Sequence, residues 1–482
     1  MALVIFIQLA VVGGLIWITL TRGLERALPF YTFTIVLVPE ACQIQIPGVF
    51  VLTIQRTALI TLVILFLVLG KRSDASKLPL RWLILAHVGW AIVSTAGSVV
   101  LLDSVKKLIA MVIEYYILYY VFSRTITSTQ TIKKIVFAIV AAVGVASLIG
   151  AFESYTTWRV TDWFPVPDMR FNFMGDGMEG RGNRIESTFA HPILFGAAIA
   201  MAIPMALHLL NEARSRSRKL VLWVSLLLMF LCLYKTSSRG PWLAAMLSFV
   251  LVFPFCGHKV RKYMLAICFL CATVLIVRPG VWDTIVDIYQ ATEDPTQPMG
   301  ASYEYRYALY HVATEALGRS PGRALWGYGL ESFSYLQLRG PFLGKPDHLF
   351  VSCDSAWTEL AIETGYVGLF LIAFLLLKAA WRTLKDAFKL PRPENRLSWV
   401  FVVNMVAFYF MMMSVAMYAW GQNGDMLWIG IASSLVYGRL VRAEQAEQKR
   451  SLPEPLPEEE FEHEPGYVDA VAALPPALLG GV

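Results

Sequence analysis

Long runs of apolar residues, separated by short polar segments, divide most of the chain. A helix needs about 20 apolar residues to cross roughly 30 Å of hydrocarbon. Runs that reach or approach this length recur from residue 2 to residue 438, which predicts 12 or 13 membrane-spanning helices. These helices are expected at 2–20, 57–70, 82–101, 105–122, 133–152, 188–210, 219–235, 241–256, 263–278, 356–377, 397–420 and 425–438, with a weaker run at 27–39.

Composition supports a membrane protein. Of the 482 residues, 57% are hydrophobic and 16% are charged. Soluble domains contain about 45–50% apolar and about 25% charged residues. A soluble chain of this length would also need two or three polar-surfaced domains, and 13% aromatic residues exclude disorder for the bulk of the chain. The sequence therefore predicts an all-α, polytopic membrane helical bundle.

The distribution of Lys and Arg predicts the orientation of the spans. If the spans alternate, most of the 41 basic residues fall on one side, including Arg214–Lys219 and the cluster between Lys378 and Arg396. The alternation is unbroken only if the run at 27–39 is a span. Basic loops stay in the cytoplasm, so the amino terminus is expected outside. The net charge of +6 is then a topology signal and does not indicate nucleic-acid binding.

Two long loops, about 153–187 and 279–355, are then expected to face outward. The second contains an amphipathic helical pattern at Ser302–Leu317, so it is expected to form a small helical cap. The Pro- and Glu-rich end of the chain is expected to be a disordered cytoplasmic tail. The predicted organisation is N-terminal spans at 1–152, an outer loop and central spans at 153–278, a large outer loop at 279–355, C-terminal spans at 356–450 and the tail at 451–482.

Charged residues at membrane depth or at the ends of spans are costly, so each is a candidate for function. Arg239 lies in a very short outward turn, Lys235–Pro241, which reads KTSSRGP. A planar guanidinium there can bind a phosphate, but an Arg whose charge reaches the membrane interface would give the same pattern. The pattern does not decide between the two.

Arg306 lies in the amphipathic segment of the large outer loop. At helical spacing, Tyr303, Arg306 and Tyr310 share one face. That face suits a diphosphate and a sugar ring. On pattern alone, a surface Arg stacked on tyrosines is the simpler interpretation.

Asp354 is the last acid before the span that opens at Ala356. It is a candidate general base, because a carboxylate near a helix amino terminus stays ionised. The alternative is that Ser352 or Asp354 caps the helix. Glu359 and Glu363 follow inside the span and are expected to line the bundle interior.

Two histidines are retained as candidates for substrate binding. His191 precedes a proline at an outer helix entrance, and His348 lies near Asp354. The seven histidines form no i,i+4 pair or HExxH motif, so no metal site and no cofactor are predicted.

Three segments together resemble the bacterial O-antigen ligase and Wzy-type polymerase superfamily. Thr236–Ala244 resembles its SRG-type motif. Arg306–Tyr310, followed by Leu325–Phe333, is similar to its R-x-x-L-[WY]…G-x-G motif. Asp354-Ser355, followed after nine residues by Gly365–Gly368, is similar to its H-[NSQ]-x9-G-x-x-G motif. The resemblance covers roughly 185–380.

The resemblance implies a GT-C-like helical bundle in the bacterial inner membrane, with its active site at the periplasmic face. Members move a glycan from undecaprenyl diphosphate to an acceptor hydroxyl without a metal. Arg239 and Arg306 would hold the diphosphate, and Asp354 would occupy the position of the ligase histidine. The implied partners are the undecaprenyl-diphosphate-linked oligosaccharide, an acceptor glycan, membrane lipid and other polysaccharide-assembly proteins.

The aspartate departs from the ligase pattern. Asp accepts a proton but is never a cation beside a diphosphate, which favours a repeat-unit polymerase over a ligase that acts on lipid A–core. A transporter or flippase of lipid-linked glycans is the rival from another class, since Glu114 lies inside a span. A non-catalytic scaffold is the third interpretation.

Overall fold

The structure is a computed structural model of the protein. It describes residues 1–45, 51–70, 78–156, 158–164, 184–277, 280, 282, 283, 286, 287, 289, 290, 294, 298–416 and 421–451. The chain divides into a compact unit, Met1–Val441, and a second unit, Arg442–Val482. The predicted tail lies outside the described residues from position 452 onward.

The described chain is almost entirely helical, which confirms the all-α fold class. The helices are α1 (Ala2–Arg22), α2 (Leu24–Leu37), α3 (Ile54–Leu69), α4 (Arg81–Ala96), α5 (Leu101–Met111), α6 (Leu118–Thr125), α7 (Thr129–Thr156), α8 (Pro192–Glu212), α9 (Arg216–Lys235), α10 (Arg239–Val252), α11 (His258–Val277), α12 (Pro298–Gly318), α13 (Pro321–Trp326), α14 (Ala356–Lys389), α15 (Asn395–Met411) and α16 (Gly421–Ser451). A π-helical turn, Val112–Ile117, joins α5 to α6, and short 3-10 turns lie at Val160–Trp163, Phe253–Phe255 and Phe333–Tyr335.

Most of the predicted apolar runs lie largely within helices. The run at 397–420 is helical only to Met411, and residues 278 and 417–420 of the predicted runs lie outside the described residues. Five helices of the described chain, α1, α7, α8, α9 and α14, are long and apolar enough to cross a membrane alone. The apolar helices at Ile54–Leu69 and Arg239–Phe255 are shorter. The structure therefore supports a polytopic membrane protein, and the number of 12 or 13 spans stays a prediction.

Helix α8 lies in the interior of the bundle. Of its most apolar 18-residue window, 94% is buried. Small residues along α8 let its neighbours approach closely: a Cβ atom at Gly196 would fall 2.7 Å from Pro241 of α10. This packing brings the start of α8 beside the turn that precedes α10.

Contacts between helix ends sort into two groups. At one end of the bundle, Arg323 donates to Gly97 O over 3.0 Å and Ala356 N donates to Met412 O over 2.9 Å. At the other end, Thr127 N donates to Glu25 over 2.9 Å. We call these ends the loop face (38–42, 97–100, 184–191, 236–238, 298–355 and 412–416) and the basic face (126–128, 213–215, 256–257 and 390–394). This sorting agrees with the predicted alternation, and the assignment of the loop face to the periplasm stays a prediction.

The large loop contains the expected helix, α12, but the cap is not wholly helical. Strands β3 (Arg339–Phe342) and β4 (Lys345–Leu349) form an antiparallel hairpin. Its two turn residues, Leu343 and Gly344, both have positive φ, 46° and 77°, as a type I′ turn requires. The expected helical cap therefore also contains a hairpin that the sequence analysis did not predict, because this turn supports strand pairing. A second short hairpin, β1 (Gln43–Gln45) with β2 (Val51–Thr53), precedes α3.

Candidate functional site

Asp354 lies between β4 and α14 and does not cap the helix. Ser355 is the N-cap, and its hydroxyl accepts from Thr358 N over 3.4 Å. The capping alternative for Ser352 or Asp354 was therefore wrong. Ser352 Oγ instead donates to Asp354 Oδ1 over 3.2 Å. Asp354 stands just before the positive end of a helix, where a carboxylate is stabilised in its charged form.

Arg306 of α12 faces Asp354. Its Nη2 lies 3.4 Å from Asp354 Oδ2, and its Nη1 donates to Ser302 O and Ser302 Oγ, each over 3.2 Å. Its Nε is buried without a hydrogen-bond partner among the described residues. No aromatic ring of the described residues stacks on the Arg306 guanidinium. The ion pair, rather than stacking on tyrosines, therefore defines its position.

Tyr303 and Tyr310 of α12 are largely exposed to solvent. Their exposed fractions are 61% and 58%. The structure therefore leaves much of both side chains accessible, although their predicted contact with a sugar ring stays a prediction.

Arg239 is the first residue of α10, at the end of the short turn on the loop face. It lies close enough to Arg306 for the two positive charges to repel each other. Two segments far apart in sequence thus bring cationic side chains to one place, a combination that favours an anionic ligand.

Arg184 supports this turn and was missed by the sequence analysis. Its Nε donates to Thr236 O over 3.0 Å and its Nη2 donates to Ser238 Oγ over 2.7 Å. Its side chain is buried, and Ser237 between its two partners has a φ of 47°. The signal that was overlooked is a basic residue in a loop assigned to the outside, since basic residues are generally concentrated in cytoplasmic loops.

His191 is held as a neutral side chain at the start of α8. Its Nδ1 accepts from Ile193 N over 2.9 Å. Burial lowers its pKa to about 3, with smaller contributions from the nearby charges of Arg184 and Arg306. Because Nδ1 is an acceptor, the proton of the neutral ring lies on Nε2. His191 is therefore an uncharged donor near the arginines.

His348 lies in an aromatic cluster of the cap. Its ring centroid is 4.7 Å from Phe342, 5.2 Å from Phe350 and 6.1 Å from Tyr305. Tyr305 in turn hydrogen-bonds to the backbone of Ser352. His348 thus packs against Tyr305, which holds the loop that carries Asp354. A contact of His348 with substrate stays a prediction.

The two glycine motifs form one interlocked structure. Helix α14 is interrupted at Gly365, with φ 68° and ψ 179°. Such a break removes helical partners from the preceding carbonyls. Tyr328 N donates to Ile362 O and Gly329 N donates to Glu363 O, each over 2.9 Å. The G-x-G segment therefore caps the break made by the G-x-x-G segment.

Helix α4 also donates hydrogen bonds to the carbonyls freed by the break in α14, and the acidic side chain of Glu363 lies at this break. Trp90 Nε1 donates to Thr364 O over 2.9 Å and Ser94 Oγ donates to Glu363 O over 2.6 Å. The Glu363 carboxylate is buried and accepts from Glu331 N over 2.7 Å. The expectation that Glu363 lines the interior is confirmed, and Glu359 is half-buried.

Glu186, two residues after Arg184 in the chain, forms a second pair of carboxylates with Glu153 of α7. Glu153 accepts from Glu186 N over 3.2 Å. Arg159 Nη1 lies 3.5 Å from Glu186 Oε1. Burial nevertheless raises the pKa of Glu186 to about 7, with Glu153 and Asp162 adding to the rise. The surroundings therefore disfavour the charged form despite the arginine.

Glu186→Gln is expected to make stability less dependent on pH. A carboxyl whose pKa is raised by folding stabilises the protein below its unfolded pKa, and this contribution is lost as pH rises through about 7. Stability should fall by up to about 3 kcal/mol from pH 5 to pH 8 in the native protein, and less in the variant. Melting temperatures in detergent at several pH values test this, with the exposed Glu315→Gln as control. Equal slopes for native protein and Glu186→Gln would contradict it.

The fold and site define a polytopic helical membrane protein with arginines and a carboxylate gathered at its loop face. Residues 224–373 match the family model described as O-antigen ligase. Over this part of the chain, the match confirms the resemblance to the O-antigen ligase and Wzy-type polymerase superfamily. The match includes Arg239, Arg306 and Asp354, whereas Arg184 precedes it. No curated protein matches the chain.

Proposed function

We propose that the protein is a glycosyltransferase of the bacterial inner membrane. It moves a glycan from undecaprenyl diphosphate to the hydroxyl of an acceptor sugar at the periplasmic face. The observation that carries the proposal is the pair of Arg306 and Asp354, 3.4 Å apart, with Arg239 from a third segment near enough to Arg306 for their charges to interact. The family match supports an O-antigen ligase or polymerase type of function.

The side chains suit this reaction. Diphosphate is a good leaving group once its charge is neutralised, and the guanidiniums of Arg239 and Arg306 supply that neutralisation without a metal. His191 adds an uncharged N–H donor. Asp354 accepts the proton of the acceptor hydroxyl. At the same time, the hydroxyl oxygen forms a bond to the carbon of the donor sugar, and the bond between that carbon and the diphosphate oxygen breaks. Tyr303 and Tyr310 offer faces for the sugar rings.

We favour a repeat-unit polymerase over a ligase. The Asp354 carboxylate performs the base step but adds no positive charge beside the leaving diphosphate. The acceptor in this proposal is a second lipid-linked repeat unit. The alternative acceptor is lipid A–core.

Purified full-length protein, incubated with undecaprenyl-diphosphate oligosaccharide, tests the proposal. A ladder of longer oligosaccharides is expected, and Asp354→Asn should reduce its formation by about 100-fold or more. Transfer to lipid A–core alone would establish a ligase instead. Absence of both products with native donor and acceptor would overturn the proposed activity.

One observation favours a second candidate, transport of lipid-linked glycans. Arg56 Nε lies 2.5 Å from Glu114 Oε1, and the buried Asp425 lies near the charges of Glu114 and Glu40. Intramembrane charge networks of this kind occur in transporters. Movement of the glycan across proteoliposomes without bond cleavage would favour this candidate.

A further inference from the structure

Both oxygens of the Asp354 carboxylate already have partners. Arg306 Nη2 lies 3.4 Å from Oδ2, and Ser352 Oγ donates to Oδ1 over 3.2 Å. An oxygen that is paired with a guanidinium is not free to accept from an acceptor hydroxyl. Asp354 Oδ2 is therefore occupied by the same arginine that the proposed function assigns to the diphosphate.

A diphosphate competes well for Arg306. Nη1 of this residue is occupied by Ser302, so Nη2 is the group that Asp354 and an incoming phosphate would share. A diphosphate carries more charge than one carboxylate, and its oxygens match the planar guanidinium. Arg239, whose charge already repels that of Arg306, increases the attraction for the more highly charged ligand.

We propose that Asp354 exchanges partners during turnover, and that Ser352 is the positioning residue that keeps it in place. The donor diphosphate binds Arg306, and Asp354 then stays hydrogen-bonded to Ser352 through Oδ1, with Oδ2 free to accept from the acceptor hydroxyl. This inference rests on the proposed function. It implies that the acceptor hydroxyl is activated only after the donor has bound.

The structure shows why Ser352 stays in place when Arg306 turns to the ligand. Tyr305 Oη donates to Ser352 O over 2.9 Å, and Ser352 N donates to Tyr305 Oη over 3.3 Å. The Tyr305 ring packs on Phe350 at 5.1 Å between centroids. Ser352 is thus anchored to α12 through Tyr305, independently of the ion pair.

Binding of inorganic pyrophosphate to the full-length protein in detergent tests the exchange. Arg306→Gln should weaken binding. Asp354→Asn should tighten it about fivefold, because a partly exposed competing ion pair is lost. In the double variant, Asp354→Asn should have little further effect, since the competition needs Arg306. Arg339→Gln, which breaks the exposed pair with Asp347 in the cap hairpin, is the control and should not change binding.

The outcomes separate this inference from the proposed function. If binding depends on neither Arg239 nor Arg306, the proposed diphosphate site is wrong. If it depends on them but Asp354→Asn does not tighten it, only the exchange is overturned. Equal tightening in the Arg306→Gln background would show general charge repulsion and would also overturn the exchange.

The positioning role of Ser352 has its own readout. Ser352→Ala removes the hydrogen bond that holds Asp354 Oδ1, so the carboxylate is no longer kept in place for the acceptor hydroxyl. The kcat should therefore fall while the KM for the lipid-linked donor stays unchanged, and Ser352→Thr should restore kcat. An unchanged kcat, or a change in the donor KM alone, would overturn the positioning role.

Discussion

Cells in which the gene is replaced by its Arg306→Ala variant are expected to make almost no polymer. The guanidinium lies 3.4 Å from Asp354 Oδ2 and, in the proposed mechanism, is one of two that neutralise the leaving diphosphate. Removing a preorganised donor of this kind lowers rates by about 100- to 1,000-fold. The measurement is the amount of polysaccharide, which should be close to zero, and the amount of single-repeat lipid-linked units. The single-repeat units should accumulate.

The matched control is Arg339→Ala in the same cap. Arg339 also forms a pair with an aspartate, at 2.9 Å from Asp347, but both side chains are exposed. Such pairs contribute little, so polymer should be normal at equal membrane expression. Normal polymer in Arg306→Ala cells as well would contradict the proposed site and favour transport or a scaffold. Full-length polymer retained on undecaprenyl diphosphate would indicate a ligase.

The sequence predicted the helices because apolar length and basic loops are local properties. The long run at 356–377 gave no sign of the break at Gly365, since the groups that satisfy its freed carbonyls belong to Trp90, Ser94 and Tyr328. Their contribution depends on tertiary contacts. The cap hairpin was missed for a different reason: Leu343-Gly344 is a weak turn signal in a loop whose amphipathic segment indicated helix.

The candidate site was predictable where a residue type was unusual for its place. Arg239 in a short outward turn and Asp354 before a span are of this kind. The pairing of Arg306 with Asp354 was not predictable, because it requires α12 to lie against the loop before α14. Arg184 was missed because its function is to hold backbone and hydroxyl groups of the turn at Thr236–Ser238, which no sequence spacing reveals.

Gly365→Ala is expected to prevent folding of the loop face. The residue has a φ of 68° and a ψ of 179°, a backbone conformation that is essentially restricted to glycine and costs another residue about 1–3 kcal/mol. A Cβ atom there would also fall 2.1 Å from Leu325 O and 2.7 Å from Gly327 N. These are backbone atoms of the segment that caps the break, so the clash is relieved only by moving that segment. The combined destabilisation should exceed about 4 kcal/mol.

Gly430→Ala is the matched control, because Gly430 lies inside helix α16 with ordinary helical backbone and a Cβ atom there would meet no atom of the described residues within 4 Å. The measurement is the yield of monodisperse protein in detergent and its melting temperature. Gly430→Ala should equal the native protein or exceed it slightly, since alanine favours a helix. Gly365→Ala should give little monodisperse protein, and any that folds should be inactive, because Glu363 and Gly329 no longer share their hydrogen bond. A native melting temperature for Gly365→Ala would show that the two glycine motifs do not depend on each other as the structure indicates.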